Sequence, residues 1–188
     1  MRNLSEEARR LKALPAYHLA LGAIKPGSYE EPVQDLWKAI VNTYFSWHEN
    51  YRNKSTGANQ ANDIQPNVKV IQIMAAAADP VPQNASDWDE RQILQVECKR
   101  PSVDDDVVTG RFVDDLIMSI NASRKLYEAV AIGTKVKFFK FDGNKLLSDP
   151  DILIELHTGK IDLTEASHFP HFAHWLDLIK REGFQWAF

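Results

Sequence analysis

One cysteine stands in the 188 residues, which excludes an internal disulfide framework and any multi-cysteine zinc centre. No apolar stretch approaches the roughly 20 residues that a membrane-spanning helix needs. The segment Met1 to Leu14 alternates charge with leucine and lacks the apolar centre of a secretory leader, so the chain reads as intracellular, cytoplasmic or nuclear. Positive charge is not in excess. The 22 Lys and Arg against 26 Asp and Glu leave a formal net charge of −4. That argues against a generic electrostatic coat for nucleic acid, though not against a local basic cleft. Internal repeats and low-complexity segments are also missing, which removes solenoids and disordered tails from consideration.

Apolar material is plentiful. Hydrophobic residues make up 44% of the chain, with 5 Trp and 9 Phe, enough for the core of one domain. Residues 1–27 read as an N-terminal helix over 3–14, stopped by Pro15, and a connector holding Gly22, Pro26 and Gly27. Residues 28–188 read as a single α/β domain. Its clearest helix runs from Ser28 to Glu49, with Val33, Leu36, Trp37, Ile40, Val41, Tyr44 and Phe45 on one face and a capping box between Ser28 and Glu31.

The polar segment 50–66 is a loop or one short edge strand. Alternation and β-branching predict strands over 67–74 and 91–100, joined by a long hairpin loop, with Pro101 ending the second. A helix is expected over 111–130, facing Phe112, Leu116, Ile117, Ile120 and Tyr127 inward, then strands over 131–141 and 151–157. Asp142-Gly143 signals a turn. A last helix opens at Ser167 to Pro170 and runs to Arg181. The sum is a mixed central β-sheet flanked by helices, with a core of about 28–142 and a C-terminal hairpin and helix over 143–188.

The chemistry concentrates at the end of the second strand. Residues i and i+2 of a strand share a face, so Glu97 and Lys99 project together beside Gln95 and Ile93, while Leu94, Val96 and Cys98 point the other way into a core. A glutamate, with the main-chain carbonyl of Cys98, offers hard oxygen ligands to Mg²⁺, and a lysine on the same face can orient a nucleophile or neutralise developing phosphate charge. The plainer reading is a surface ion pair. Folding the hairpin about residue 84 sets position 67 opposite roughly position 101, so a second metal-binding carboxylate would be expected near Asn67.

The run Pro66-Asn67-Val68 leading one strand and Val96-Glu97-Cys98-Lys99-Arg100-Pro101 closing the next resembles the PD-(D/E)XK nuclease superfamily, whose small fungal members carry a similar Val-Glu-Cys-Lys-Arg-Pro run. The resemblance covers about residues 28–142. It implies a restriction-endonuclease-like αβββαβ core and Mg²⁺- or Mn²⁺-dependent hydrolysis of phosphodiester bonds in DNA or RNA. It makes Glu97 the metal-ligating acid, Lys99 the catalytic lysine, and Glu31 (or Glu30) the acid on the first helix. It puts an aspartate at position 67, where this chain has Asn67, an amide of similar shape and no charge. The site therefore reads as weakened or inactivated at that position, by descent or by substitution, or as aligned there wrongly.

Two function classes follow: a metal-dependent nuclease of low activity, or a non-catalytic module of the same fold that binds nucleic acid, a protein partner or a second copy of itself. Lys99 and Arg100, with Lys135 and Lys137 sharing a strand face, are the candidate phosphate contacts, although lysines on strands also guard against edge-to-edge aggregation. His168, His171 and His174 resemble a metal cluster but drift around a helix. Cys98 has no neighbouring histidine and reads as a buried core thiol. Phe184, Trp186 and Phe188 either dock on the core or form a partner surface.

Overall fold

The computed structural model describes residues 4–56, 67–75, 87–102, 124–146 and 148–188. Helices α1 (Glu6–Ala13), α2 (Pro15–Ala23) and α3 (Glu31–Tyr44) come first. Strands β1 (Tyr51–Thr56), β2 (Asn67–Ala75), β3 (Trp88–Lys99), β4 (Lys125–Ile132), β5 (Lys135–Asp142), β6 (Leu153–Glu155) and β7 (Ile161–Asp162) follow, and α4 (Phe169–Trp186) closes the order. The strands make one mixed sheet in the order β1-β2-β3-β4-β5-β6, with β7 also beside β5. Among the described strands only β3 and β4 run parallel. A parallel pair needs a crossover, and residues 100–124 join the two strands.

The expected α/β class therefore holds, and several elements differ from expectation. Pro15 does stop α1, but as the first residue of α2, so the expected connector holds a helix whose Tyr17 enters the common core. Proline suits that first helical position because its missing N–H would be unpaired there anyway. Ser5 caps α1 by accepting from the Ala8 N–H at 3.2 Å. The Ser28–Glu31 capping box does not form: the Ser28 hydroxyl accepts from the Lys25 N–H at 2.8 Å, and Glu30 holds the N-cap of α3 without a side-chain bond. Asn50, with φ of 64°, turns the chain from a short 3₁₀ turn into β1.

The largest departure is β4. The helix expected over 111–130 is a strand from Lys125 onward; the expected Phe112, Leu116, Ile117 and Ile120, with the rest of 103–123, lie outside the described residues. Leu126 to Val130 are buried on both sheet faces, so the run is apolar without a period that separates strand from helix. The strand expected over 131–141 is split by a turn at Gly133 (φ 58°) into the β4–β5 hairpin. The strand expected over 151–157 shortens to Leu153–Glu155 after a 3₁₀ turn, and α4 runs past Arg181 to Trp186.

Helices α1 to α4 and one sheet face share a core that includes Leu36, Trp37, Tyr44, Val70, Leu94, Val96, Ala129, Phe138, Phe172 and Leu176. Gly183 of α4 lies so close to β3 that a Cβ there would stand 2.9 Å from the Ile93 Cβ. Phe184 and Trp186 pack against the core, while Phe188 is 85% exposed. The Arg91 guanidinium sits 4.2 Å and 4.5 Å from the ring centres of Phe184 and Phe188, and the Lys140 ammonium 3.7 Å from that of Trp186.

Candidate functional site

The sheet face away from the shared helical core carries the candidate residues. Directly paired residues point to the same face, so the registers can be read as rows across the sheet. One row is Thr56, Asn67, Glu97, Val130 and Lys137. The next is Lys54, Lys69, Gln95, Glu128, Phe139 and Glu155. A third joins Lys99, Ile132 and Lys135.

Asn67 thus pairs with Glu97, four positions short of the expected partner at 101. The strands turn earlier than expected, Ala75 pairing with Trp88, and β3 carries one extra residue. That residue, Ile93, lies where the register slips between Val70 and Ile71. The bulge reverses the alternation, as an extra strand residue must. Ile93 therefore packs with Leu94 into the helical core, and not beside Gln95 and Glu97 as simple alternation predicts. Gln92 instead takes that face and donates to the Gln95 side-chain oxygen at 3.2 Å.

Glu97 and Lys99 form an ion pair and are only 5% and 9% exposed. The surface-pair reading is therefore wrong about their environment. At such burial the pair's Coulomb attraction is set against a large desolvation cost, and losing either partner would leave a buried charge. Asn67 begins β2 at the edge of this pair. Its N–H donates to the Thr56 hydroxyl at 3.2 Å, and the Gln34 amide of α3 reaches down to the carbonyls of Thr56 at 2.6 Å and Asn67 at 3.5 Å. The Asn67 side-chain oxygen Oδ1 is buried, and none of the described residues donates to it.

Glu128 was not among the expected site residues. It is fully buried, and among the described residues neither carboxylate oxygen has a hydrogen-bond donor. Burial first, and then the negative charge of Glu97, hold its carboxyl well above the usual range, while Lys69 opposes the shift. Burial likewise lowers the Lys69 ammonium, with Glu128 acting against that and Lys54 with it. A carboxylate between a carboxylate and a lysine, without its own donors, is a costly arrangement in an apolar medium. The signal in the sequence was one acidic residue inside the run Leu126-Tyr127-Glu128-Ala129-Val130.

The other expected residues are dispersed. Glu31 is exposed in the first turn of α3, and the side chain that reaches the Asn67 end of the sheet is Gln34, one turn later. Lys137 shares a row with Glu97 and ion-pairs with Glu155 at 3.1 Å; Lys135 and Arg100 are exposed. Cys98 is buried on the opposite face, where desolvation pushes its thiol up, so it is no nucleophile.

His168 and His171 act as hydrogen-bond acceptors, and His174 packs edge-on against Trp175. His168 accepts from the Asp162 N–H at 3.0 Å, and His171 from the Trp175 indole at 3.0 Å. Among the described residues no three His, Cys, Asp or Glu side chains gather for a metal ion, and no helix is long and apolar enough to cross a membrane. Around Glu97 the polar face does offer the carboxylates of Glu97 and Glu128 and the amide oxygen of Asn67, all hard donors, the type Mg²⁺ and Mn²⁺ take. No family model, curated protein or solved structure matches the chain.

Proposed function

We propose that the buried polar face of β2, β3 and β4 is a phosphodiester-hydrolysis site of the PD-(D/E)XK kind, acting on DNA or RNA and working weakly with Asn67 in place. The observation that carries the reading is the row itself: Asn67 opposite Glu97, with Lys99 ion-paired to Glu97 on the same face. The strand order adds support, because α3, the antiparallel β1 to β3 and a β4 parallel to β3 match the αβββ and final β of the expected αβββαβ core, whose second helix would fall outside the described residues.

The donor set fits a divalent cation. Glu97 and the unsatisfied Asn67 Oδ1 are the side chains of the expected pair that would hold it. A bound Mg²⁺ or Mn²⁺ supplies Lewis-acid polarisation of the phosphate and lowers the pKa of its water. Lys99 holds positive charge against the scissile phosphate and orients the attacking water, while Glu97 fixes the Lys99 ammonium in that position. Lys135 and Lys137 track the backbone beside the site. An amide at position 67 contributes a dipole where a carboxylate contributes a full charge, so less of the cation's dehydration cost is offset there.

The test compares the unsubstituted protein with Asn67→Asp in Mg²⁺ and Mn²⁺, on single- and double-stranded DNA and RNA, with Asn67→Asp/Lys99→Ala as control. A gain of cleavage in Asn67→Asp that disappears with Lys99→Ala is the expected result. Strong cleavage by the unsubstituted chain that survives Glu97→Ala would place the chemistry elsewhere. The second reading, a non-catalytic module, is favoured by the net charge of −4 and by the amide at position 67. It gains if nucleic acid is bound and no variant cleaves.

A further inference from the structure

We infer that Glu128 is a direct ligand of the divalent cation, supplying from β4 the second negative charge that position 67 lacks. The inference rests on the proposed reading of the face as a metal-dependent site and assigns it a residue that the Glu-x-Lys motif does not contain.

Three observations converge. Glu128 is completely buried, yet among the described residues neither carboxylate oxygen has a hydrogen-bond donor. Buried carboxylates are ordinarily paired, hydrogen-bonded or metal-bound, because an unpartnered one carries its full desolvation cost. Next, Glu128 sits beside Gln95 on the strand parallel to β3, which makes it the diagonal neighbour of Glu97 on one face. Strand spacing and rise put their Cα atoms about 8 Å apart. The Glu97 carboxylate is close enough for its charge to act on the Glu128 carboxyl. Last, the Asn67 Oδ1, across from Glu97 on the other neighbouring strand, is also buried without a donor.

Glu97 thus stands at the centre of a face whose two flanking oxygen groups both lack hydrogens to accept. A cation resolves all of this together, since it gives the orphan oxygens a partner and turns carboxylate repulsion into shared attraction. One or two carboxylates completed by water and substrate phosphate is the ordinary way Mg²⁺ is held.

The experiment is a calorimetric titration of Mg²⁺ and Mn²⁺ into the full chain and into Glu128→Gln, Glu97→Gln and Asn67→Asp/Glu128→Gln, with folding checked by circular dichroism. Glu128→Gln is expected to weaken binding on the order of tenfold or more. Restoring a charge with Asn67→Asp in that background is expected to recover part of it. A second measurement needs no substitution: the side-chain carboxyl ¹³C resonances of Glu97 and Glu128 in the unsubstituted protein should shift together as Mg²⁺ is added. If Glu97→Gln abolishes binding while Glu128→Gln leaves it intact and the Glu128 resonance stays still, the inference falls and the metal site stands. If the unsubstituted chain binds neither ion, both fall.

Discussion

Replacing Glu128 by Gln should remove a pH dependence from the stability of the metal-free protein. The carboxyl is fully buried and held well above 4.5, by burial first and then by Glu97, so the folded state binds its proton more tightly than the unfolded state does. The sign follows. The contribution to stability is fully present below about pH 4.5 and is lost as pH rises towards the raised folded value. Each pH unit inside that window costs about 1.4 kcal/mol for a single carboxyl.

Other groups act the opposite way. His157 and His171 are lowered from 6.5 chiefly by burial, so they cost stability as pH falls below 6.5 and partly mask Glu128 in the unsubstituted protein. The informative quantity is therefore a difference. Urea unfolding of the unsubstituted protein and of Glu128→Gln, at pH 5, 6, 7 and 8 with chelator present, should give stabilities that diverge in favour of the variant as pH rises. An amide cannot titrate, so its own packing and hydrogen-bonding cost enters as a constant offset. Stability curves that run parallel from pH 5 to 8 would refute the reasoning.

Two further expectations concern the scaffold beneath the site. Gly183→Ala should destabilise the fold by about 1–3 kcal/mol through the clash with Ile93, outweighing the better helix propensity of alanine, and Ile93→Ala should couple with it in a double-mutant unfolding cycle. Additive effects would remove the close approach of α4 to the bulge. Cys98 should react with a thiol reagent in native buffer only as fast as the protein opens, and at once in denaturant, because its thiol is buried and pushed up; rapid native labelling would contradict the face assignment of β3.

What could be read from the sequence was what has a period. The stripe of α3 from Val33 to Tyr44 repeats at 3.6 residues and is buried as expected. The alternation from Leu94 to Lys99 separates Cys98 from Glu97 correctly. Where the period vanishes, the reading failed. β4 is buried on both faces and shows no alternation, so it passed for helix. Ile93 is one residue of bulge, which no local pattern announces, and it inverts the faces of everything before it. Pro15 punctuates two helices at once, and only one of its two roles was visible. Glu128 was missed for the same reason as its strand, because a glutamate in a supposed helix belongs on a wet face and attracts no attention.

The two faces of β3 and β4 provide their own control. Leu94, Val96, Cys98, Ala129 and Ala131 on one side and Gln95, Glu97, Lys99 and Glu128 on the other belong to the same two strands and are all buried. Sheet geometry therefore does not require polarity on the second face. The second face is not uniformly polar either: Leu126, Val130, Phe139, Phe141 and Ile152 form an apolar cluster on it, immediately beside Glu128. Apolar side chains extended across the remaining positions would avoid the desolvation of an ion pair and an orphan carboxylate, and replacements of that kind are often neutral or stabilising. The polar groups thus lower local stability while packing next to residues that show how the face could have been filled. Charge held on adjacent positions of β2, β3 and β4, where apolar side chains would pack at less cost, is the physical ground on which the proposed site rests.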